Sequence, residues 1–339
     1  MLRAIAVRYD ITFDGRGPVT GVMSPVSPNF FLVGAPKAGT TSLYHYLRQH
    51  PQIYMSPIKE PNYFASEIRI DNFCEGMRDR ARRDVEALRE YLNGPMSELR
   101  FGGMISEWDD YLKLFQHARG ARAIGEASAC YLWSRTAAAN IFAKVPEARI
   151  IVILRNPADR AFSNYWHGVN EGVSRISFRQ TIEGNLHRKS EQFDILYPFL
   201  EFGFYYEQVR RYLDVFGRDQ VRIYLFEDEY RKREQQMLAE IFDFLGVDRR
   251  FTPDMSERRL ESQVPQSLAV SYLLKRYGLW ERLRSLCPEF LRQPLKALVF
   301  KRESAVMEAG DREFLVAYYR EDIGKLAELL RRDLSGWLR

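Results

Sequence analysis

The first strongly patterned stretch of the chain is Phe30-Phe31-Leu32-Val33, a short apolar run of the kind needed by a strand covered on both faces. A glycine-bearing loop follows, then a helical pattern from about Thr40 to Gln49 that must stop before Pro51. The same grammar returns where Ile150, Ile151, Val152, Ile153 and Leu154 lead into Arg155-Asn156-Pro157 and a helix to about Asn170. Two strand, loop and helix units with buried strands predict a parallel sheet. Further strands are expected near 121–125 and 221–225, with helices near 136–143, 202–216 and 233–245.

A short alternating leader (4–13) precedes all this, set off by a Gly-, Pro- and Ser-rich stretch at 15–28, and reads as an edge strand or an arm. After Phe251 the strand signal ends and the pattern turns helical. It closes on 311–338, where Phe314, Leu315, Tyr318, Ile323, Leu326, Leu329 and Leu330 recur at helical spacing and predict a tail packed back on the sheet. The expected fold is α/β in three layers: a central parallel sheet, helical insertions and C-terminal helices, in one domain over 29–339 after the 1–28 leader.

Composition narrows the partners. The 339 residues allow roughly two units at about 150 residues each, or one large α/β domain. With 46% hydrophobic and 28% charged residues the chain is an ordinary folded protein rather than a disordered one. Fifty Lys and Arg against 45 Asp and Glu suit a small anionic ligand and fall short of a nucleic-acid coat. Three scattered cysteines (Cys74, Cys130, Cys287) build no disulfide framework, and no Cys or His pair has zinc-ligand spacing, so a reducing compartment and no metal are expected. Charges at Arg3, Arg8, Asp10, Asp14 and Arg16 break any signal-peptide core, and no run approaches the roughly 18 apolar residues of a membrane span; a cytoplasmic protein is expected.

The candidate chemistry begins at Gly34-Ala35-Pro36-Lys37-Ala38-Gly39-Thr40-Thr41, between the first strand and its helix, where free backbone N–H groups and the helix dipole hold anions. This is a P-loop-like nucleotide site. A nucleotide-kinase loop would read G-x-x-x-x-G-K-[ST], yet Thr40 stands at the lysine position and Lys37 lies inside the loop. A lysine there can stabilise charge on a leaving phosphate. The plainer reading is a Gly-rich turn capped by Thr40 or Thr41. Arg155 closes the second buried strand and Ser163 lies eight residues further on, about two helical turns, so both can face one ligand. An Arg fork with a hydroxyl suits a second phosphate; singly, the commoner case is a helix-capping salt-bridge partner for Arg155 and a neutral helix-surface residue for Ser163.

Together the two motifs resemble those of sulfotransferases that use 3′-phosphoadenosine 5′-phosphosulfate (PAPS), over about 29–245, and 318–337 is similar to the C-terminal helix of bacterial members. The resemblance implies that Lys37, Gly39, Thr40, Thr41 and Ser42, with Pro36 and Ala38 in the same loop, hold the 5′-phosphosulfate. It further implies that Arg155 and Ser163 hold the 3′-phosphate and that no metal is needed. Phe226 would approach the adenine, or else is a plain core aromatic.

A base must take the acceptor's proton. The stretch after the loop has no histidine, and Lys59-Glu60 resembles the Lys-Glu motif of heparan-type glycan sulfotransferases. By that resemblance Glu60 is the general base and Lys59 its neighbour, against a solvated charged turn before Pro61. Histidines 45, 50, 117, 167 and 187 become structural by default. Gly125-Glu126-Ala127-Ser128 looks like the family's acidic acceptor-side segment, making Glu126 and Ser128 candidates against a helix or turn cap. Ala129 stands where a proline is common and Ala127 where glycan enzymes often carry lysine, which weakens a heparan-like acceptor. The expected reaction is sulfuryl transfer to a hydroxyl of a carbohydrate or glycosylated metabolite, releasing adenosine 3′,5′-bisphosphate (PAP). Alternatives are a lipid or other small alcohol as acceptor, a nucleotide kinase, or a non-catalytic binder. The helical stretch at about 252–305 would lie on the acceptor side. Its basic and aromatic run between Tyr272 and Arg302 is an acceptor lid, a membrane contact or an amphipathic cap.

Overall fold

A computed structural model describes residues 26–194, 197–256, 265–276, 279–280, 283, 288, 299–300 and 305–339. Residues 1–25 of the leader, Cys287 and most of the basic run before Arg302 lie outside the described residues.

In chain order the strands are β1 (Phe30–Gly34), β2 (Ile53–Met55), β3 (Ile58–Lys59), β4 (Arg100–Phe101), β5 (Ala123–Ala127), β6 (Arg149–Leu154) and β7 (Val221–Leu225). The helices are α1 (Thr40–Gln49), α2 (Glu75–Asn93), α3 (Trp108–Lys113), α4 (Ala137–Lys144), α5 (Pro157–Asn170), α6 (Phe178–Leu186), α7 (Tyr205–Phe216), α8 (Glu234–Leu245), α9 (Leu268–Arg276) and α10 (Ala309–Leu330). Five strands form one parallel sheet in the order β2, β5, β1, β6, β7, and β3 pairs with β4 in a small ribbon. Every residue of β1 and β5 is buried, as are all of β6 but Arg149. That pattern requires cover on both faces, so the α/β fold with a central parallel sheet is as the apolar runs predict.

Boundaries differ where the pattern was thin. β5 begins two residues later than 121–125 because Ala121 still closes a turn on the Ala118 carbonyl (3.1 Å) and Arg122 bonds the Gln52 carbonyl (2.9 Å). β2, β3 and β4 have at most three residues each, too few for a periodicity to register. The tail packs chiefly on α5 and α7 rather than straight on the sheet: the Tyr319 hydroxyl reaches the Leu200 carbonyl (2.8 Å), and Asp322 accepts the Tyr205 amide (2.7 Å). The 3₁₀ turn Ser335–Leu338 then buries Trp337.

The sheet leaves no room at Gly125, which pairs with Phe30 across β1 and β5; a Cβ there would lie 2.3 Å from the Phe30 ring. Gly125→Ala should lower unfolding free energy by about 1–3 kcal/mol through overpacking, read as a shift in the urea midpoint. An unchanged midpoint would mean the strand pair is looser than described.

Candidate active site

A parallel sheet delivers all its strand C-termini to one edge, and here the order reverses between β1 and β6, opening a crevice at that edge. The loop after β1 enters it. The Ala35 amide is clipped to the Ile153 carbonyl of β6 (2.6 Å), and the chain turns through Lys37 (φ 67°) and Gly39 (φ 89°) into α1. Glycine is required at 39, where a Cβ would press on the Tyr230 ring at 3.0 Å. Gly39 is also the N-cap residue, and no side chain caps this helix. The amides of the first turn, through Thr40, Thr41 and Ser42, therefore face the crevice without a side-chain acceptor at the cap. The cap by Thr40 or Thr41 does not form; Thr40 is buried.

From the other wall, Arg155 donates Nη1–H to the Lys37 carbonyl (2.9 Å) and lies over the Phe226 ring, 4.9 Å from its centroid. Phe226 is half-buried and stacks on Tyr230, with ring centroids 5.1 Å apart. Ser163 is half-buried on α5 and is not hydrogen-bonded to Arg155 among the described residues. Two cations thus meet in one desolvated place. Burial, then Arg155, lowers Lys37 to about 8, against the pull of Glu60; burial likewise pushes the Arg155 guanidinium down. Like charges held together away from water call for an anion between them.

The segment after β3 carries Lys59-Glu60. Glu60 has φ 66° and Asn62 φ 57°, left-handed conformations that non-glycine residues adopt at a cost, and Glu60 also precedes a proline. The turn is held from several sides. The Glu60 amide bonds the Ala127 carbonyl of β5 (2.8 Å), the Asn62 side chain donates to the Gly103 carbonyl (2.9 Å), and its Oδ1 accepts from Cys130 Sγ (2.9 Å). Lys59 is buried, with Nζ 2.6 Å from Glu60 Oε1, while the Glu60 side chain keeps 38% of its exposure. Desolvation, the largest effect, raises the Glu60 carboxyl, but the Lys59 ammonium and its hydrogen bond, His167 and Lys37 together hold it below the ordinary carboxylate range. At neutral pH it is an anion beside Lys37.

A family model described as Sulfotransferase family matches residues 28–253. The chain belongs to the sulfotransferase family. A solved sulfotransferase from Alicyclobacillus acidocaldarius is 32% identical with a TM-score of 0.67, the match covering 93% of this chain and 100% of that one. Human carbohydrate sulfotransferase 15 is 26% identical over 254 residues, which are 65% of this chain and 44% of that protein. Mouse bifunctional heparan sulfate N-deacetylase/N-sulfotransferase 4 is 26% identical over 323 residues, 92% of this chain and 31% of that protein. The chain spans less than half the length of these curated relatives.

Membership sets aside the nucleotide kinase, and the sulfotransferase presents one group that the sequence left as structural. His167, on α5, is held below its ordinary value by desolvation and the Lys37 ammonium, while Glu171 and Glu60 pull it up, so it stands within electrostatic reach of the Lys37 and Glu60 pair. Its i, i+4 relation to Ser163 on the same helix was the available signal. His50, by contrast, packs between Phe242 and Phe251 and bonds the Asp248 carbonyl. Glu126 lies in β5, and both it and Ser128 are wholly buried. Tyr111 (3.1 Å) and Ser128 (3.0 Å) donate to its carboxylate, with Tyr131 also bonded. Among the described residues no His, Cys, Asp and Glu group could hold a metal ion, and no helix is long and apolar enough to cross a membrane.

Burial raises Glu126 from 4.5 to about 7 against its hydroxyl donors. Below pH 4.5 folded and unfolded chains both carry the proton; from there to about 7 only the unfolded chain ionises, so stability falls as pH rises through that window. The span corresponds to a loss on the order of 3 kcal/mol. Glu126→Gln should remove that slope, seen by urea unfolding at the two ends of the window; an identical slope in the variant would contradict the assignment.

Proposed function

We propose that this sulfotransferase moves the sulfuryl group of PAPS onto a hydroxyl of a carbohydrate or glycosylated metabolite and releases PAP. The observation that carries the reading is the meeting of Lys37, Arg155 and Glu60 at the crevice between β1 and β6. The loop from Pro36 to Ser42 takes the 5′-phosphosulfate on its amides. Arg155 and Ser163 take the 3′-phosphate, and Phe226, beside Arg155, approaches the adenine.

Glu60 accepts the acceptor's proton as the acceptor oxygen forms its bond to sulfur. The bond from sulfur to the 5′-phosphate oxygen breaks in line, and its electron pair stays on the phosphate, where Lys37 stabilises it. Lys59 keeps Glu60 ionised and oriented. A carbohydrate acceptor is supported by the names of two relatives, a carbohydrate and a heparan sulfate sulfotransferase.

Calorimetric titration with PAP tests the donor site. A bound dianion raises Lys37, so above pH 8 binding should take up a proton and weaken as pH rises, without need of Mg²⁺ and less tightly in Arg155→Ala. Equal binding of ADP that requires Mg²⁺ would refute the donor reading. Glu60→Gln should keep PAP affinity but lose about 10²–10⁴-fold in turnover; near-normal turnover would remove Glu60 from the mechanism.

A further inference from the structure

Away from the crevice, a cavity of about 490 Å³ adjoins one of about 350 Å³, and the two share Trp133, Arg135, Ser190, Glu191 and Tyr197. Trp133 lies just past the Ala129–Tyr131 turn that follows β5, and its ring is set edge-on by Phe193 (5.6 Å) and Phe202 (5.8 Å). The wall is tied to the Glu60 segment: Glu67, seven residues after Glu60, accepts from Ser134 Oγ (2.7 Å), the Arg135 amide (2.7 Å) and Thr136 Oγ1 (2.9 Å). Seven residues span at most about 25 Å, so one extended ligand can reach both places.

The charges around this space are unevenly spent. Glu201 is taken up by Asn185 Nδ2 (3.2 Å) and the Phe199 amide (2.9 Å), and Glu207 by Arg210 (2.7 Å). Arg188 is paired with Asp194 (2.7 Å) over the Tyr197 ring. Arg135, Lys189 and Arg211, all lining the larger cavity, form no ion pair among the described residues, and neither does Glu191, so three cations stand against one acid. Arg211 instead donates to the Ser134 carbonyl (2.6 Å), and burial pushes its guanidinium down against the pull of Tyr212, Glu67 and Glu207, with the neighbouring Arg135 adding to the effect of burial.

We propose that this cavity seats an anionic sugar ring, a uronate or a sulfated pyranose, of an extended acceptor, a proposal that rests on the carbohydrate reading above. The indole and phenol faces meet the C–H face of the ring, and Arg135 and Lys189, with Arg211 behind them, take its carboxylate or sulfate. A neutral sugar would leave that excess of positive charge unmet. The cavity is thus an acceptor subsite that selects charge at a distance from the reacting hydroxyl.

The full chain, saturated with PAP to fill the Lys37 crevice, is titrated calorimetrically with four ligands. These are an unsulfated hexasaccharide of alternating glucuronate and N-acetylglucosamine, its sulfated form, neutral chitohexaose and a hexaglutamate peptide. At least one anionic hexasaccharide should bind ten times more tightly than chitohexaose and hexaglutamate, and the preferred one distinguishes carboxylate from sulfate. The double variant Arg135→Ser, Lys189→Ser should lose at least tenfold in that affinity with PAP binding unchanged. Trp133→Ala should lose as much, and the double variant, made at two exposed positions, decides the matter if the tryptophan variant melts early. Equal binding of chitohexaose or hexaglutamate, no binding of either anionic hexasaccharide, or undiminished binding by the double variant would overturn the subsite. Failure of PAP binding in the wild type would instead strike the donor reading, and the hexasaccharide titrations without PAP would still decide this one.

Discussion

Burying β1 on both faces obliges it to have a strand on each side and helices above and below, and this requirement fixes where the reactive groups emerge. Because all five strands run parallel, every loop that leaves a C-terminal end does so at the same edge. Lys37 leaves from β1, Arg155 from β6, and the Glu60 turn is pinned to the end of β5 through Ala127. No single element contains the site; the register of three neighbouring strands does.

What the register brings together is electrostatically uncomfortable. Two cations share a desolvated crevice with a carboxylate that an adjacent buried ammonium, with His167 and Lys37, keeps charged. Three non-glycine residues in left-handed backbone, Lys37, Glu60 and Asn62, sit in the segments that hold these charges. The surrounding sheet and the Asn62 hydrogen bonds over-determine that geometry, as places where strain is kept for use require.

The sheet was legible in the sequence because β1, β6 and β7 are continuous apolar or alternating runs with loops of distinctive composition. α1 and α5 were bounded by Pro51, Asn156 and Pro157. The short β2, β3 and β4 were not, since two or three residues carry no period; α2 was missed although Ala81, Val85, Leu88 and Leu92 recur at helical spacing, because ten charged residues surround that narrow stripe. At the site, loop and strand-end residues could be found by motif, whereas the burial of Glu126 and the nearness of His167 to Lys37 depend on long-range packing. Spacing along the chain cannot register a contact made by another helix.

The network around Asn156 joins the crevice to the far end of the chain. Its amide and the Trp337 indole both donate to Glu227, and its side chain reaches the Trp337 carbonyl, 181 residues further along. Asn156 also caps α5, immediately after Arg155. As the chain is synthesised, the sheet and its phosphate-side loop can form long before residue 337 exists. The loop that carries Arg155 then waits for the Ser335–Leu338 turn to close over it, so the site becomes complete only after residue 337 has been made.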